Sequence, residues 1–529
     1  MEATLHIVDY IIVFVALVFF ALFGLSFLKK QGDTKHYFTT SGTMPTWAIG
    51  LSILATLISS VTFLAYPGEG FNSNWILLVQ GIMVPFVLIF IIGFIVPFYR
   101  KVIGISAYEY FEKRFGYIAR LYTSLAFSMA HFSKMGTVFF LLALALSSMM
   151  GLNIYGVLIV LAIVVIAYTM MGGIEAVIWL DVIQGILLLT GGLLAIGVMF
   201  IVAPVSPIEM ISFAWENDKI GFGPFDWDFT RLTFFVIAIN GIFYAIQKYG
   251  TDQTIVQRFL TAKSDREAIK ASMMGILLAV PVWMLFMFVG TMLFSFYNFT
   301  EFALPEGIRA DSVFPHFITT QLPIGVTGLI LSGLVAAALS SLDSDLNSLS
   351  AVGLEDYYKR FAPDKTDDHY LFVSRVIVVL CGLGALVISF IYVEAEGETV
   401  LSIVFALYAI FSGGIAGIFL LAIFSKRTNK EGLYVGIIAC IIFTGWALLT
   451  SQPVGVLNEP LLDLGSYNFT HHNYMMGVYT HFIIIAVGYL ASFLFPKKMA
   501  DDSLTFYGYW KNRKKLKEER KQAALDVLD

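Results

Sequence analysis

Long apolar runs recur along almost the whole chain, and they constrain its fold more than any other feature of the sequence. A helix that crosses a bilayer needs about 20 mostly apolar residues. Runs that meet this requirement are centred near residues 18, 56, 87, 135, 162, 191, 240, 284, 338, 382, 411, 441 and 486. Only 13% of the residues are charged, against about 25% in an average soluble protein. The sequence therefore predicts an all-α polytopic membrane protein with about 13 transmembrane helices.

The segments between the apolar runs are mostly short, so we expect one transmembrane domain over residues 1–496 and a basic tail over 497–529. This organisation leaves no room for a soluble catalytic module, and the chain is not expected to be an enzyme. The first run, 7–28, is long enough to span and lacks a small-residue cleavage site, so it is interpreted as the first span. Cys381 and Cys440 both lie in apolar segments, which argues against a disulfide framework or a zinc site.

Lysine and arginine are unevenly distributed between the two sides of the predicted bundle. One set of alternate loops, together with the tail, carries 29 of the 33 Lys and Arg residues. Because basic residues favour the cytoplasmic side, the N-terminus is predicted outside and the tail inside. An odd number of spans also requires the two ends to lie on opposite sides. We expect a multi-pass protein of a bacterial-type inner membrane.

The ninth apolar run changes character halfway, from GVTGLILSGLV to AAALSSLDSDLNSLS. At about 100° per residue, its leucines occupy one face and its oxygen-bearing side chains occupy the other. Small residues alone could serve helix packing, but an aspartate at a helix centre costs about 2.5–3.5 kcal/mol and usually marks an ion or substrate pathway. We expect Asp343 to contact a cation, whereas Asp345 could instead face the cytoplasm. Hard oxygen ligands favour an alkali cation such as Na⁺.

Two other charged residues lie inside apolar runs. Asp181, in GGIEAVIWLDVIQG, is either a carboxylate near a helix N-terminus or a partner of Asp343 across a cation. Lys134, in SMAHFSKMGTVFFLLALAL, could pair with a carboxylate, reach an aqueous cavity or bind an anionic ligand.

Two further segments carry weaker signals. The second span places Ser and Thr residues just before Pro67, Gly68 and Gly70, which indicates an interrupted helix whose free carbonyls could bind an ion. The segment YGTDQTIVQRFLTAKS, with Gln257 and Arg258, is interpreted as a solvated charged loop, with an inner gate as the alternative.

Five motifs, in order along the chain, resemble the sodium/solute symporter family, which includes the sodium/glucose cotransporters. They are LATLISSVTF (54–63), SAYEYFEKRFG (106–116), AYTMMGGIEAVIWLDVIQG (167–185), GTDQTIVQRFLTAKS (250–264) and AAALSSLDSDLNS (336–348). The resemblance implies a LeuT-type core over 46–424, built from inverted five-helix repeats at about 46–203 and 232–424. It also implies alternating-access symport with Na⁺ as the coupling ion and no bound cofactor.

The resemblance also implies the site residues, position by position. The family's shared sodium site would use backbone carbonyls and hydroxyls of Ala55, Ile58, Ala337, Ser340 and Ser341. Some members, including bacterial sialic acid transporters, have a second sodium site, whose matching positions are Asp181, Ser340, Asp343 and Ser344. Asp343 stands where that pattern has a serine, and we expect two Na⁺ per cycle.

The positions that would contact substrate are Ser59, Thr62, Gln80, Lys134, Phe243 and Gln247. Lys134 matches an arginine that binds the substrate carboxylate in the sialic acid transporters. The expected substrate is therefore a sugar or sugar acid, with sialic acid as the specific prediction. A neutral hexose or inositol would use the same mixture of aromatic and amide groups. Two alternatives belong to other functional classes: a transporter-like membrane sensor and a channel. The expected partners are the substrate, Na⁺ and the lipid bilayer, and not nucleic acid.

Overall fold

Helices account for the regular structure of the chain in the computed structural model, which describes residues 5–28, 32–394, 413–451, 460, 462–496 and 502–512. The described residues form no β-strand. The α-helices are α1 Ile7–Leu25, α2 Thr34–Thr39, α3 Thr46–Leu57, α4 Tyr66–Asn72, α5 Leu78–Val102, α6 Glu109–Phe115, α7 Tyr117–Met150, α8 Ile154–Val202, α9 Pro207–Glu216, α10 Phe234–Gly250, α11 Gln253–Leu260, α12 Asp265–Phe299, α13 Ala310–Gln321, α14 Val326–Val352, α15 Lys359–Phe361, α16 Asp367–Glu394, α17 Ile415–Phe424, α18 Lys430–Thr450 and α19 Asn473–Ala491.

The predicted spans correspond closely to these helices. Every predicted centre falls inside a described helix except the one near 411, which lies outside the described residues. Within the described part of the chain, nine helices are long and apolar enough to cross a bilayer, and the bent pair of α3 with the segment Val61–Asn72 makes a tenth. The protein is therefore an integral membrane protein, while the count of 13 spans stays a prediction.

Helix α8 contains two of the predicted spans. Its 49 residues would extend about 73 Å as one straight helix, more than twice the hydrocarbon thickness of a bilayer. Gly173 divides it, with a φ of 57° and a ψ of −167° that a residue with a side chain would adopt only with strain. The kink lies between the predicted centres at 162 and 191.

The second span is interrupted, as predicted, but the break lies earlier than the proline and glycines indicated. Helix α3 ends at Leu57, Ile58 has extended backbone angles, and a π-helical turn over Val61–Ala65 leads into α4 at 60° to α3. Pro67 lies in the first turn of α4, where its missing N–H costs nothing. Gly70 serves close packing instead, because a Cβ there would lie 2.3 Å from the Met287 carbonyl oxygen of α12.

Helix α14 lies at the centre of the bundle. It packs against α8, α1, α7, α16 and α3, and every residue from Ile330 to Val352 is buried. Its polar half is therefore enclosed by protein rather than by solvent, and Asp345 does not face the cytoplasm.

The first part of the predicted tail docks on the bundle. Tyr509 places its ring 5.5 Å from that of Phe94 and 5.7 Å from that of Phe98, both on α5. The Tyr110 hydroxyl of α6 donates a hydrogen bond to the Leu504 carbonyl at 2.9 Å. Residues 497–501 and 513–529 lie outside the described residues.

Candidate functional site

A polar cavity lies between the break in the second span and helices α5, α7, α10 and α19. It contains about 130 Å³ of space that the centre of a water molecule can reach. The six residues predicted to contact substrate all line it: Ser59, Thr62, Gln80, Lys134, Phe243 and Gln247. These residues come from four separate parts of the chain, so the fold brings the predicted set together in one place.

The cavity also has wall residues that the sequence did not indicate. Asn240 accepts a hydrogen bond from Gln80 at 2.7 Å and donates one to the Tyr474 carbonyl at 3.0 Å. His481 stacks on Phe243, with ring centroids 4.9 Å apart. Tyr474 and His481 belong to α19, outside the predicted core, and their apolar surroundings in the sequence gave no signal of a site.

The residues predicted for the first sodium site also lie together. Ile58 leaves the helix and presents its carbonyl at the break, whereas the Ala55 carbonyl accepts the Ile58 amide at 3.2 Å and keeps a second lone pair. The Ser340 hydroxyl lies 3.3 Å from the Ala55 oxygen and 3.0 Å from the Ala337 oxygen, and the Ser341 hydroxyl lies 3.2 Å from the Ile58 oxygen. These five groups form an uncharged oxygen cluster between α3 and α14.

A charged cluster adjoins it, built around Asp181 and Arg258. The Arg258 guanidinium donates to an Asp181 oxygen at 2.9 Å and to the Ser344 hydroxyl at 2.7 Å. Ser52 donates to the same Asp181 oxygen at 2.5 Å. The other carboxylate oxygen of Asp181 is buried and accepts no hydrogen bond from the described residues, so it is available to a cation.

Asp343 belongs to this charged cluster but has no cationic side chain bonded to it in the described structure. The Tyr168 hydroxyl donates to one of its oxygens at 2.9 Å, and the Ser344 hydroxyl lies 3.4 Å from the other. When both carboxylates are ionised, their two negative charges and the one guanidinium sum to one net negative charge. A buried unbalanced charge is costly, and a monovalent cation would balance it.

The position of Arg258 corrects one expectation. It lies on α11, is 0% exposed and is one of the largest fully buried side chains of the protein. Asp252 caps that helix by accepting a hydrogen bond from the Thr254 amide at 2.9 Å. The interpretation of this segment as a solvated loop is therefore wrong, because it folds as a helix buried beneath the cavity. The sequence around Asp181 contains no basic residue. It therefore did not indicate that Asp181 pairs with Arg258, which lies 77 positions later in the chain.

The structure pairs Lys134 with a carboxylate, which is one of the three roles considered for it from the sequence. Its ammonium group donates to Asp345 at 3.0 Å. Asp345 is 0% exposed, and the Lys134 side chain retains 11% exposure at the cavity. Lys134 is therefore both paired and able to face a ligand.

Comparisons with known proteins show which family the chain resembles over most of its length. Residues 37–440 match the family described as SSF: Sodium:solute symporter family. The sodium/sialic acid symporter NanT of Aliivibrio fischeri is 30% identical over 497 residues, which cover 94% of this chain and 95% of NanT. The sodium/sialic acid symporter SiaT of Proteus mirabilis is 33% identical over 440 residues, which cover 82% of this chain and 88% of SiaT. A solved structure of a Na⁺-coupled sialic acid symporter, substrate-bound and outward-open, superposes with a TM-score of 0.83 at 30% identity and covers 93% of this chain and 98% of its own.

Proposed function

The chain belongs to the sodium:solute symporter family, and we propose that it imports sialic acid or a related sugar acid together with two Na⁺ by alternating access. Family membership makes it a transporter rather than an enzyme, with Na⁺ as the coupling ion. The observation that carries the substrate assignment is the position of Lys134, whose partly buried ammonium group lies at the wall of the cavity.

The first Na⁺ would bind in the uncharged oxygen cluster. Its five members supply three carbonyl and two hydroxyl oxygens, which are hard ligands of the kind that an alkali cation prefers. The break after Leu57 takes the carbonyls of Ala55 and Ile58 out of the regular helical hydrogen-bond pattern and leaves a lone pair on each for this purpose. In the family pattern these same positions form the shared sodium site, which supports the assignment.

The second Na⁺ would bind in the charged cluster. Support comes from its single excess negative charge and from the Asp181 oxygen that accepts no hydrogen bond within the described residues. Asp343, Ser344 and Ser340 supply the other oxygens. Arg258 neutralises one carboxylate and holds Ser344 in place, so the site would take a monovalent rather than a divalent cation.

The energy of two ions suits the import of an acid. Each Na⁺ that enters down about 100 mV gains about 2.3 kcal/mol, and a tenfold concentration gradient adds about 1.4 kcal/mol. Two ions therefore supply about 7.4 kcal/mol, sufficient for about 10⁵-fold accumulation of a neutral solute. A monoanion forfeits about 2.3 kcal/mol to the membrane potential, which makes the second ion valuable.

The cavity chemistry fits a sugar acid. Lys134 would attract the carboxylate as a point charge. Gln80, Asn240 and Gln247 offer amide groups to hydroxyls, and Phe243 stacked on His481 offers an apolar wall. Relatives that transport sialic acid match most of the chain, which favours this acid over a neutral hexose or inositol.

We assign the protein to the inner membrane of a bacterial-type cell, with the N-terminus outside and the C-terminus in the cytoplasm. The uneven distribution of lysine and arginine supports this orientation.

Uptake of labelled sialic acid into proteoliposomes tests the proposal. An inward Na⁺ gradient should drive accumulation, whereas an equal K⁺ gradient, or Na⁺ with an ionophore that dissipates its gradient, should not. Accumulation of a neutral sugar alone would keep the symporter and reject the acid. Equal uptake under Na⁺ and K⁺ would reject sodium coupling.

A further inference from the structure

Five side chains form a continuous row beneath the cavity, in which basic and acidic groups alternate. None of them belongs to either of the proposed sodium sites. We call this set the buried charge row, and its members in order are Lys134, Asp345, His131, Asp252 and Lys248. Lys134 donates to Asp345 at 3.0 Å, and Lys248 donates to Asp252 at 2.6 Å. His131 lies between the two carboxylates and is 2% exposed.

His131 contacts a carboxylate through each of its ring nitrogens. Nδ1 lies 2.8 Å from Oδ1 of Asp345, and Nε2 lies 3.1 Å from Oδ2 of Asp252. A neutral imidazole has one N–H and one acceptor nitrogen, and an ionised carboxylate only accepts. When both carboxylates are ionised, each ring nitrogen has a hydrogen-bond partner only if it carries hydrogen, because an unprotonated nitrogen would face an oxygen that cannot donate. With ionised carboxylates, this geometry therefore favours an imidazolium.

The other described groups packed around the ring do not offer a competing charge. On its own helix α7, the Phe127 ring lies 4.1 Å away, close enough to favour a cation. A small gap beside His131 and Asp252 is lined by Tyr108 from before α6, Gln247 from α10, Thr251 just after α10, and Ile415 from α17. These side chains are uncharged, so the charged groups near the ring are the other members of the buried charge row.

We propose that His131 is a proton-binding site and that a proton on its ring and an acidic substrate in the cavity bind cooperatively. The inference deepens the proposed function and rests on it for the substrate, although the protonated ring is also a property of the empty protein. With an imidazolium the buried charge row has three positive and two negative charges. The excess positive charge would be balanced by a substrate carboxylate at Lys134, which lines the cavity together with Lys248.

With a neutral ring the same five residues would already be balanced, and an arriving carboxylate would add an uncompensated negative charge to a buried site. Proton and acid would therefore strengthen each other's binding by the same factor. No other bond changes in this step. A proton from bulk water binds to the unprotonated ring nitrogen of His131, and its release breaks that same N–H bond.

Nitrogen-15 NMR of the purified full-length protein, labelled at histidine, tests this directly. The His131 signals are assigned by their loss in the His131→Gln variant. Without substrate at pH 7 we expect two protonated ring nitrogens. A neutral ring, with one unprotonated nitrogen, would overturn the proton site whether or not any acid binds.

The cooperative part is tested by titrating the same signals with sialic acid and with a neutral sugar, both in Na⁺. Sialic acid should move the deprotonation midpoint upward by about one pH unit, which corresponds to about tenfold tighter acid binding by the protonated form. A midpoint that stays in place although calorimetry shows the acid bound would overturn the cooperativity. If calorimetry shows no acid binding, the proposed function fails, and the substrate-free spectrum still decides the proton site.

Asp252→Asn is the matched variant, because asparagine can still cap α11 while it removes the carboxylate from Nε2. We expect its His131 ring to lose one proton at pH 7 while its thermal stabilisation by Na⁺ is retained. A ring that stays doubly protonated in this variant would contradict the role assigned to Asp252.

Discussion

Asp343 and Asp345 lie two residues apart on α14 and are both completely buried, yet their partners differ in kind. Asp343 meets the Tyr168 hydroxyl of α8. Asp345 meets the ammonium of Lys134 and the imidazole of His131, both on α7. The same residue type, on the same helix and at the same burial, therefore has only hydroxyl partners in one place and basic side chains in the other.

The difference separates two functions on one helix. A buried carboxylate with hydroxyl partners still requires a cation, so the Asp343 face suits a Na⁺ that enters and leaves. A carboxylate with two cationic partners has no such need, so Asp345 instead fixes the positive groups near the cavity. The following predictions test this contrast, in order of decreasing effect.

The largest effect should come from Asp345→Asn. It leaves Lys134 and His131 buried without their shared carboxylate, and breaking a buried ion pair in this way costs about 3–5 kcal/mol. We expect a clear fall in melting temperature in Na⁺-free buffer. Asp343→Asn is the matched control, and it should cost much less because it removes an unbalanced charge. Equal losses in the two variants would show that the two aspartates do not differ as described.

Lys134→Ala should come next. Removing one member of a buried charge pair costs about 2–5 kcal/mol in binding, so affinity for sialic acid should fall by about 30-fold or more in calorimetry. Lys134→Arg keeps the charge and should retain most of the affinity. Unaltered affinity in the alanine variant would leave Lys134 with only its structural pairing to Asp345.

Asp343→Asn should change the sodium dependence rather than the fold. Without this carboxylate the charged cluster is neutral, and the second Na⁺ loses its electrostatic advantage. The Hill coefficient for Na⁺ in substrate binding should fall from about two to about one, as expected for loss of one of two sites. A steep sodium dependence that survives the substitution would contradict the second site.

Ser341→Ala should have the smallest effect. It removes one neutral hydroxyl from the first sodium site, worth about 1 kcal/mol, so Na⁺ affinity should weaken about fivefold. Ser332→Ala is the control, since Ser332 also lies on α14 but donates only to the Gly328 carbonyl of its own helix. Equal effects of both substitutions would indicate a general change in helix packing.

The sequence predicted the contrast on α14 in part. Helical periodicity placed both Asp343 and Asp345 on the oxygen-bearing face, and only Asp343 was expected to contact a cation. The structure has Asp343 against α8 and Asp345 against α7. The apolar runs located the spans, because membrane helices must satisfy their own backbone and so leave a continuous signal. The first sodium site and the cavity residues came from the family resemblance, which carries tertiary information that periodicity lacks.

What the sequence did not predict are contacts between helices that are distant in the chain. His131 and Asp252 are 121 positions apart, and the local pattern around Arg258 resembles an exposed charged loop. His481 lies in an apolar run on α19, where nothing distinguishes a cavity wall from a lipid-facing surface. Local periodicity gives the face of a helix, but the partner of that face is decided by packing.

The central claim is that one cavity binds a sugar acid only together with Na⁺. The most direct measurement is the thermal stabilisation of the purified full-length protein by sialic acid, with Na⁺ and with K⁺ in its place, against neutral sugars as controls. We predict stabilisation by sialic acid in Na⁺ and none in K⁺. Equal stabilisation in the two salts, or a response to neutral sugars alone, would contradict the account.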